Sequence, residues 1–177
     1  MHKKLAFYLL LPAFAAIAFS ACKKDDKTEQ ELITTIELHF TGPNNFDQKF
    51  YWKDLDGEGG AAPTIDTIVL APDATLNCFM HVYDESKNPQ VDITEEIEAE
   101  STEHLFIYNP SNSVVEITSS SVDSNGNAFR ISTEWKTTAT GAGIVRVRLI
   151  HEPDKSAADP GATGETDFDV TFPVVVR

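Results

Sequence analysis

A two-residue alternation of apolar and polar side chains constrains this chain more than any other feature. Ile36, Leu38 and Phe40 alternate with Glu37 and His39, and Phe50 and Trp52 flank Tyr51. Leu76, Cys78, Met80 and Val82 form a further stripe, as do Phe129, Ile131 and Trp135 with Thr133 between them. Val145, Val147 and Leu149 alternate with Arg146 and Arg148, and Phe168, Val170, Phe172, Val174 and Val176 close the chain. Successive side chains of a strand point to opposite faces, so strict alternation predicts strands with one buried face. Shorter candidates are 65–70, 104–108 and 114–118. Turn chemistry separates the runs: Gly42-Pro43-Asn44-Asn45, Ala71-Pro72-Asp73, Asn109-Pro110, Asn125-Gly126 and Gly141-Ala142-Gly143. About nine short strands and no long helical pattern predict an all-β fold, an antiparallel β-sandwich of the Ig-like or jelly-roll-like kind.

Three local features refine this reading. Residues 92–100 contain good helix formers, and Asp92 with Glu95 has capping-box spacing. A short helix or an irregular acidic loop is expected there, with Ile93 and Ile97 docked on one side. Pro173 lacks a ladder donor, which predicts an edge position for the last strand. Cys78 shares a face with Leu76, Met80 and Val82, so it reads as a small buried apolar residue rather than a reactive thiol.

If successive strands run alternately up and down, the connections 54–64, 84–103, 119–127 and 151–167 lie at one end of the sandwich. The connections 41–47, 71–74, 109–113 and 137–143 lie at the other. The first set is long and acidic; the second is short and mostly neutral. Connections beyond about 12 residues are uncommon and often functional, so the acidic end is the place to look for a site.

Asp54-Leu55-Asp56-Gly57-Glu58-Gly59-Gly60 places oxygen ligands at alternate positions with a sharp turn at Gly59, as a calcium loop does. The twelfth position is Ile65 instead of a bidentate Glu, so further ligands come from elsewhere, with Asp66 or Glu95 as candidates. A Gly-rich solvated turn is the alternative. Glu95, Glu96 and Glu98 belong to the densest acidic run, read either as cation ligands or as a solvated face. Asp123 and Asn125 also alternate, but Asn125-Gly126 is a strong hairpin signal. His151, Glu152 and Asp154 open the longest loop; His151 reads as a strand-end histidine or as a ligand. His39 and His81 fall on outer strand faces, and no two histidines have ligand spacing along the chain. No GxSxG, CxxC, HExxH, P-loop or dinucleotide fingerprint is present, so no catalytic residue is assigned. Trp52 and Trp135 sit in alternating registers, which favours the core over a sugar-stacking platform.

The N-terminus carries an address. His2, Lys3 and Lys4 precede an apolar run from Leu5 to Phe19, then Ser20-Ala21-Cys22 and a polar tail. The run is shorter than the roughly 20 residues of a spanning helix and reads as a signal peptide over 1–21. Phe19-Ser20-Ala21-Cys22 resembles the lipobox of bacterial lipoproteins, although Leu is usual at the Phe19 position. The resemblance implies acylation of Cys22. Residues 22–31 then form a tether, spanning about 30 Å if extended, and 32–177 form one domain.

Cys22-Lys23-Lys24-Asp25-Asp26 is similar to the start of many Bacteroidota lipoproteins exported to the outer-membrane surface. Further blocks resemble small acidic lipoproteins of the same bacteria: 54–60, 93–97, 123–127 and 151–155. Some members carry the label "type 1 periplasmic binding fold". That fold has two α/β lobes and about twice this length, whereas strand periods run through nearly all of this chain. The family brings no activity with it.

The chain has 28 acidic against 14 basic residues, which argues against a nucleic-acid partner. Together these features predict a non-enzymatic, lipid-anchored envelope protein at the outer-membrane surface, with a periplasm-facing placement as the alternative. Its expected partners are the membrane through its lipid, a divalent cation with calcium first, and an unidentified envelope protein or glycan. The rivals are a structural lipoprotein without small ligand and, last, a carbohydrate-binding or hydrolytic protein.

Overall fold

A computed structural model describes residues 32–57 and 59–177; Cys22 and Glu58 lie outside them. The fold is all-β, a sandwich of two mainly antiparallel sheets. The strands are β1 (Thr35–Gly42), β2 (Phe46–Lys53), β3 (Thr64–Ile65), β4 (Ile68–Leu70), β5 (Thr75–Asp84) and β6 (Val91–Asp92). After one helical turn and a half, α1 (Thr94–Ala99), come β7 (His104–Pro110), β8 (Val115–Ser119), β9 (Ser132–Thr137), β10 (Gly141–His151) and β11 (Glu165–Val176). The first sheet has the order β3-β2-β1-β5-β9-β8, with β6 also paired to β5. The second has the order β4-β11-β10-β7. Among the described residues, no helix is long and apolar enough to cross a membrane.

The stripes predicted from alternation face each other across the sandwich. Ile36, Leu38 and Phe40 of the first sheet and Phe106, Val147 and Phe172 of the second are buried in one core. Trp135 is 0% exposed. Its ring meets Phe40 edge-on at 4.9 Å between centroids, and its indole Nε1 donates to Thr133 Oγ1 at 3.0 Å. Such an aromatic pair adds about 0.5–1.5 kcal/mol beyond the area it buries. Trp52 is only half-buried and packs at the margin of this core. Cys78 is buried in the same core as Leu76, Met80 and Val82, and burial pushes its thiol pKa up.

The structure departs from the predicted strands at several points. The run 65–70 is split: β3 pairs with β2 in the first sheet, and β4 pairs with β11 in the second. The chain changes sheets at Asp66 and Thr67, a step that periodicity does not encode. Phe129 and Ile131 are buried as expected but precede β9, because Arg130 takes a left-handed φ of 67°. Their carbonyls instead bridge the sheets, Phe129 O accepting from Phe106 N and Ile131 O from Met80 N, each at 3.0 Å. The last strand is not an edge: β11 lies between β10 and β4. Pro173 is tolerated because β4 pairs only with Val174, Val175 and Val176, beginning just past it. Ile93 and Ile97 dock α1 on the core as predicted, but no capping box forms. The Asp92 carboxylate accepts from Thr94 N at 2.9 Å instead.

In the first sheet β2, β5 and β8 run opposite to β1 and β9, and in the second β10 runs opposite to β7 and β11. The registers Thr35↔Lys53 and Thr35↔Tyr83 put the ends of β2 and β5 beside the start of β1. His151↔His104 and His151↔Glu165 gather the corresponding ends of the second sheet. β4 runs parallel to β11. The four long connections therefore emerge at one end.

Candidate functional site

Three of these connections are tied together by one side chain. Lys155 Nζ donates to Ser101 O at 2.6 Å and to Asp123 Oδ2 at 2.8 Å. The side chains of Lys155 and Asp123 are 7% and 1% exposed. Asp123 Oδ1 accepts from the backbone of Asn125 and Asn127, each at 2.9 Å. The hydrogen bond from Lys155, followed by those from the backbone, holds the Asp123 carboxyl below its ordinary pKa. Asp123 and Asn125 thus build the hairpin turn with Gly126 at φ 84°; both carboxylate oxygens of Asp123 serve the clasp and the turn. Asp154 is similarly engaged, its Oδ1 accepting from Ser156 N at 3.0 Å and Ser156 Oγ at 2.6 Å.

Among the described residues, the calcium-type side chains divide between a loop, a sheet edge and α1. Asp54 and Asp56 lie within hydrogen-bonding reach of each other, and Asp56 Oδ2 accepts from Ala61 N at 2.8 Å. That backbone bond is the main cause of a lowered Asp56 pKa. Asp54 Oδ1 is buried without a hydrogen-bond donor. Asp66 Oδ2 instead accepts from Tyr51 N at 2.9 Å, stitching the sheet edge. Glu95, Glu96 and Glu98 are exposed on α1. Among the described residues, no trio of carboxylates or imidazoles within reach of one ion includes Asp54, Asp56, Asp66, Glu95, Glu96 or Glu98.

The trios that do form are built on histidines, which cross-strand register brings together. His104 starts β7 and His151 ends β10, and the two are direct partners. Their rings stack at 4.9 Å between centroids and 7° between planes. Asp167 joins them where β11 carries an extra residue: Leu149 pairs with Phe168 but Ile150 with Thr166. A bulge of this kind re-aims a side chain, and Asp167 Oδ2 lies 3.9 Å from His104 Nε2. Burial is the main influence on Asp167 and raises its carboxyl pKa, against the opposing pull of His104 and His151. Glu103 and Glu152 form a second trio with His151. Glu152 N donates to Glu103 O at 2.6 Å, with Glu152 at a left-handed φ of 49°.

A third trio, Glu37, His39 and His81, lies on the outer face of the first sheet. Glu37 pairs across strands with His81, and His39 is two residues further along β1. This trio is already charge-compensated: Lys49 Nζ is 2.9 Å from Glu37 Oε1, and His39 Nε2 meets Asp47 Oδ1 at 2.8 Å. Burial lowers the His81 pKa. Reading ligand spacing along the chain misses His104, Asp167 and the outer-face histidines, since each pair is separated by whole strands and loops. The only signal available was strand parity, which puts His104 and His151 at the same end.

No protein-family model, no curated protein and no solved structure matches this chain. The fold itself defines the class: an all-β sandwich with short connections at one end and long, acidic connections at the other.

Proposed function

We propose that this is a lipid-anchored, non-enzymatic binding or accessory protein of the bacterial envelope, acting through its long-loop end. The lipobox-like Phe19-Ser20-Ala21-Cys22 supports the anchor. The observation that carries the binding reading is the Lys155 clasp, which joins three separate connections into one surface. Loose linkers need no such buried ion pair.

Calcium at Asp54 and Asp56, with Glu58 as a further ligand, is the first candidate there. Two adjoining carboxylates repel, and the donorless Asp54 Oδ1 adds an unsatisfied acceptor; a hard cation relieves both. A ligand bound only by the folded state raises stability by RT ln(1 + [L]/Kd). Millimolar calcium should raise the melting temperature of the wild type and leave Asp54→Ala unmoved. Identical melts with and without calcium would remove calcium from the proposal. For the anchor, Cys22→Ser should release the protein from the membrane fraction and abolish its labelling by a fatty-acid analogue.

A further inference from the structure

The geometry points to His104, His151 and Asp167 as a site for one divalent transition-metal ion of the zinc class. Their ligand atoms lie within 4.8 Å of one another. Two imidazole nitrogens and one carboxylate oxygen suit zinc, which takes three protein ligands and leaves a position for water. Calcium prefers an all-oxygen shell, so this site differs in kind from the Asp54 loop and does not depend on it.

The hydrogen bonding leaves a place for a cation. His104 Nδ1 lies 3.1 Å from Glu100 O, a carbonyl that only accepts, so Nδ1 donates there and Nε2 is the ring atom turned toward Asp167. Nε2 lies 3.9 Å from Asp167 Oδ2, which is buried with no hydrogen-bond donor. A histidine that donates its other N–H to a backbone carbonyl is the usual outer support of a metal ligand, fixing tautomer and ring direction. The side chains are 8% and 14% exposed, so water compensates little.

The size is right as well. Zinc bonds of about 2.0–2.1 Å in a tetrahedron put ligands roughly 3.3 Å apart, so His104 and Asp167 need to close by about half an ångström, and the His151 ring must turn out of its 7° stack on His104 for both nitrogens to face one ion. Glu103 and Glu152 each have a ligand atom within 4.8 Å of His151, adding negative potential at the entrance. The outer-face trio of Glu37, His39 and His81 does not compete as an explanation, because the Lys49 ammonium already occupies the cation's place beside Glu37.

The test is titration of chelator-stripped protein with Zn2+ by calorimetry and with Co2+ by visible absorption. One ion per chain should bind, and Co2+ should show the intense bands of tetrahedral coordination. His151→Gln and Asp167→Asn should each weaken binding at least tenfold, with far-UV circular dichroism unchanged. His81→Gln and Asp54→Ala should bind like the wild type. Absence of binding at submillimolar zinc overturns the assignment. So does binding that survives both His151→Gln and Asp167→Asn. If those two variants lose their strand signal, Zn2+ protection of His151 from diethylpyrocarbonate in the wild type decides: protection supports the assignment and no protection overturns it. Loss of the zinc response with a calcium shift intact leaves the loop-end binding reading standing; the reverse result removes calcium alone.

Discussion

Lys155→Met is the most direct probe of how the long-loop end is held. The substitution keeps the apolar stem, including its packing near Phe129, where Lys155 Nζ lies 5.8 Å from the ring centroid. It removes the ammonium that serves Ser101 O and Asp123 Oδ2. Asp123 keeps its two backbone donors on Oδ1, but Oδ2 becomes a buried, unpaired charge. Breaking a buried pair by removing one partner costs about 3–5 kcal/mol. The pair lies just under the loop surface, where solvent relaxes more readily, so a cost of about 2–3 kcal/mol is expected. For a domain of this size that lowers the melting temperature by roughly 5–10 °C.

Urea denaturation and thermal melting of wild type, Lys155→Met, Asp123→Asn and the double variant make a cycle. The coupling energy should exceed about 1 kcal/mol, since the two groups are in contact. The pH dependence has a definite sign. The Asp123 carboxyl is held below its ordinary pKa, so its stabilisation is present above about pH 4 and is lost as pH falls through its folded value. The wild-type advantage over Lys155→Met should therefore shrink in acid. A variant within about 0.5 kcal/mol of wild type at pH 7, or a coupling near zero, would refute the clasp.

Three other expectations concern the scaffold. Gly164→Ala should destabilise by more than about 1 kcal/mol, because Gly164 sits at φ 75° and an added Cβ would fall 2.2 Å from His151 O; equilibrium unfolding measures this. Trp135→Ala should cost about 3–5 kcal/mol, since the ring is 0% exposed, and the loss is read from the urea midpoint. The Cys78 thiol, buried and with its pKa pushed up, should resist iodoacetamide at pH 8 in the native protein and react fully in denaturant; native-state labelling would contradict the packing.

Much of the architecture is legible in single residues. The stripes of β1, β5, β10 and β11 place Leu38, Met80, Val147 and Phe172 in the core because strand parity leaves them no other face. Ile93 and Ile97 identify the docked side of α1 in the same way. Other features depend on information outside any one segment. The exchange of sheets between Ile65 and Ile68 depends on which neighbour each half finds. The end of the stripe at Arg130 depends on a backbone φ that the surrounding connections impose. Asn125-Gly126 already favours a turn at Asp123 and Asn125, but only the fold shows Lys155, from a distant loop, taking the second carboxylate oxygen of Asp123.

The amino-acid sequence by itself determines which faces are buried and that the long acidic connections share one end, because parity is a property of each strand and its direction. The tertiary structure decides which strands are neighbours. It puts His104 opposite His151 and turns Asp167 toward them through a bulge. The physical reason is that register is set by the joint packing of both sheets and by the loops that close them. Coordination spacing in this protein runs across strands, where no local pattern records it.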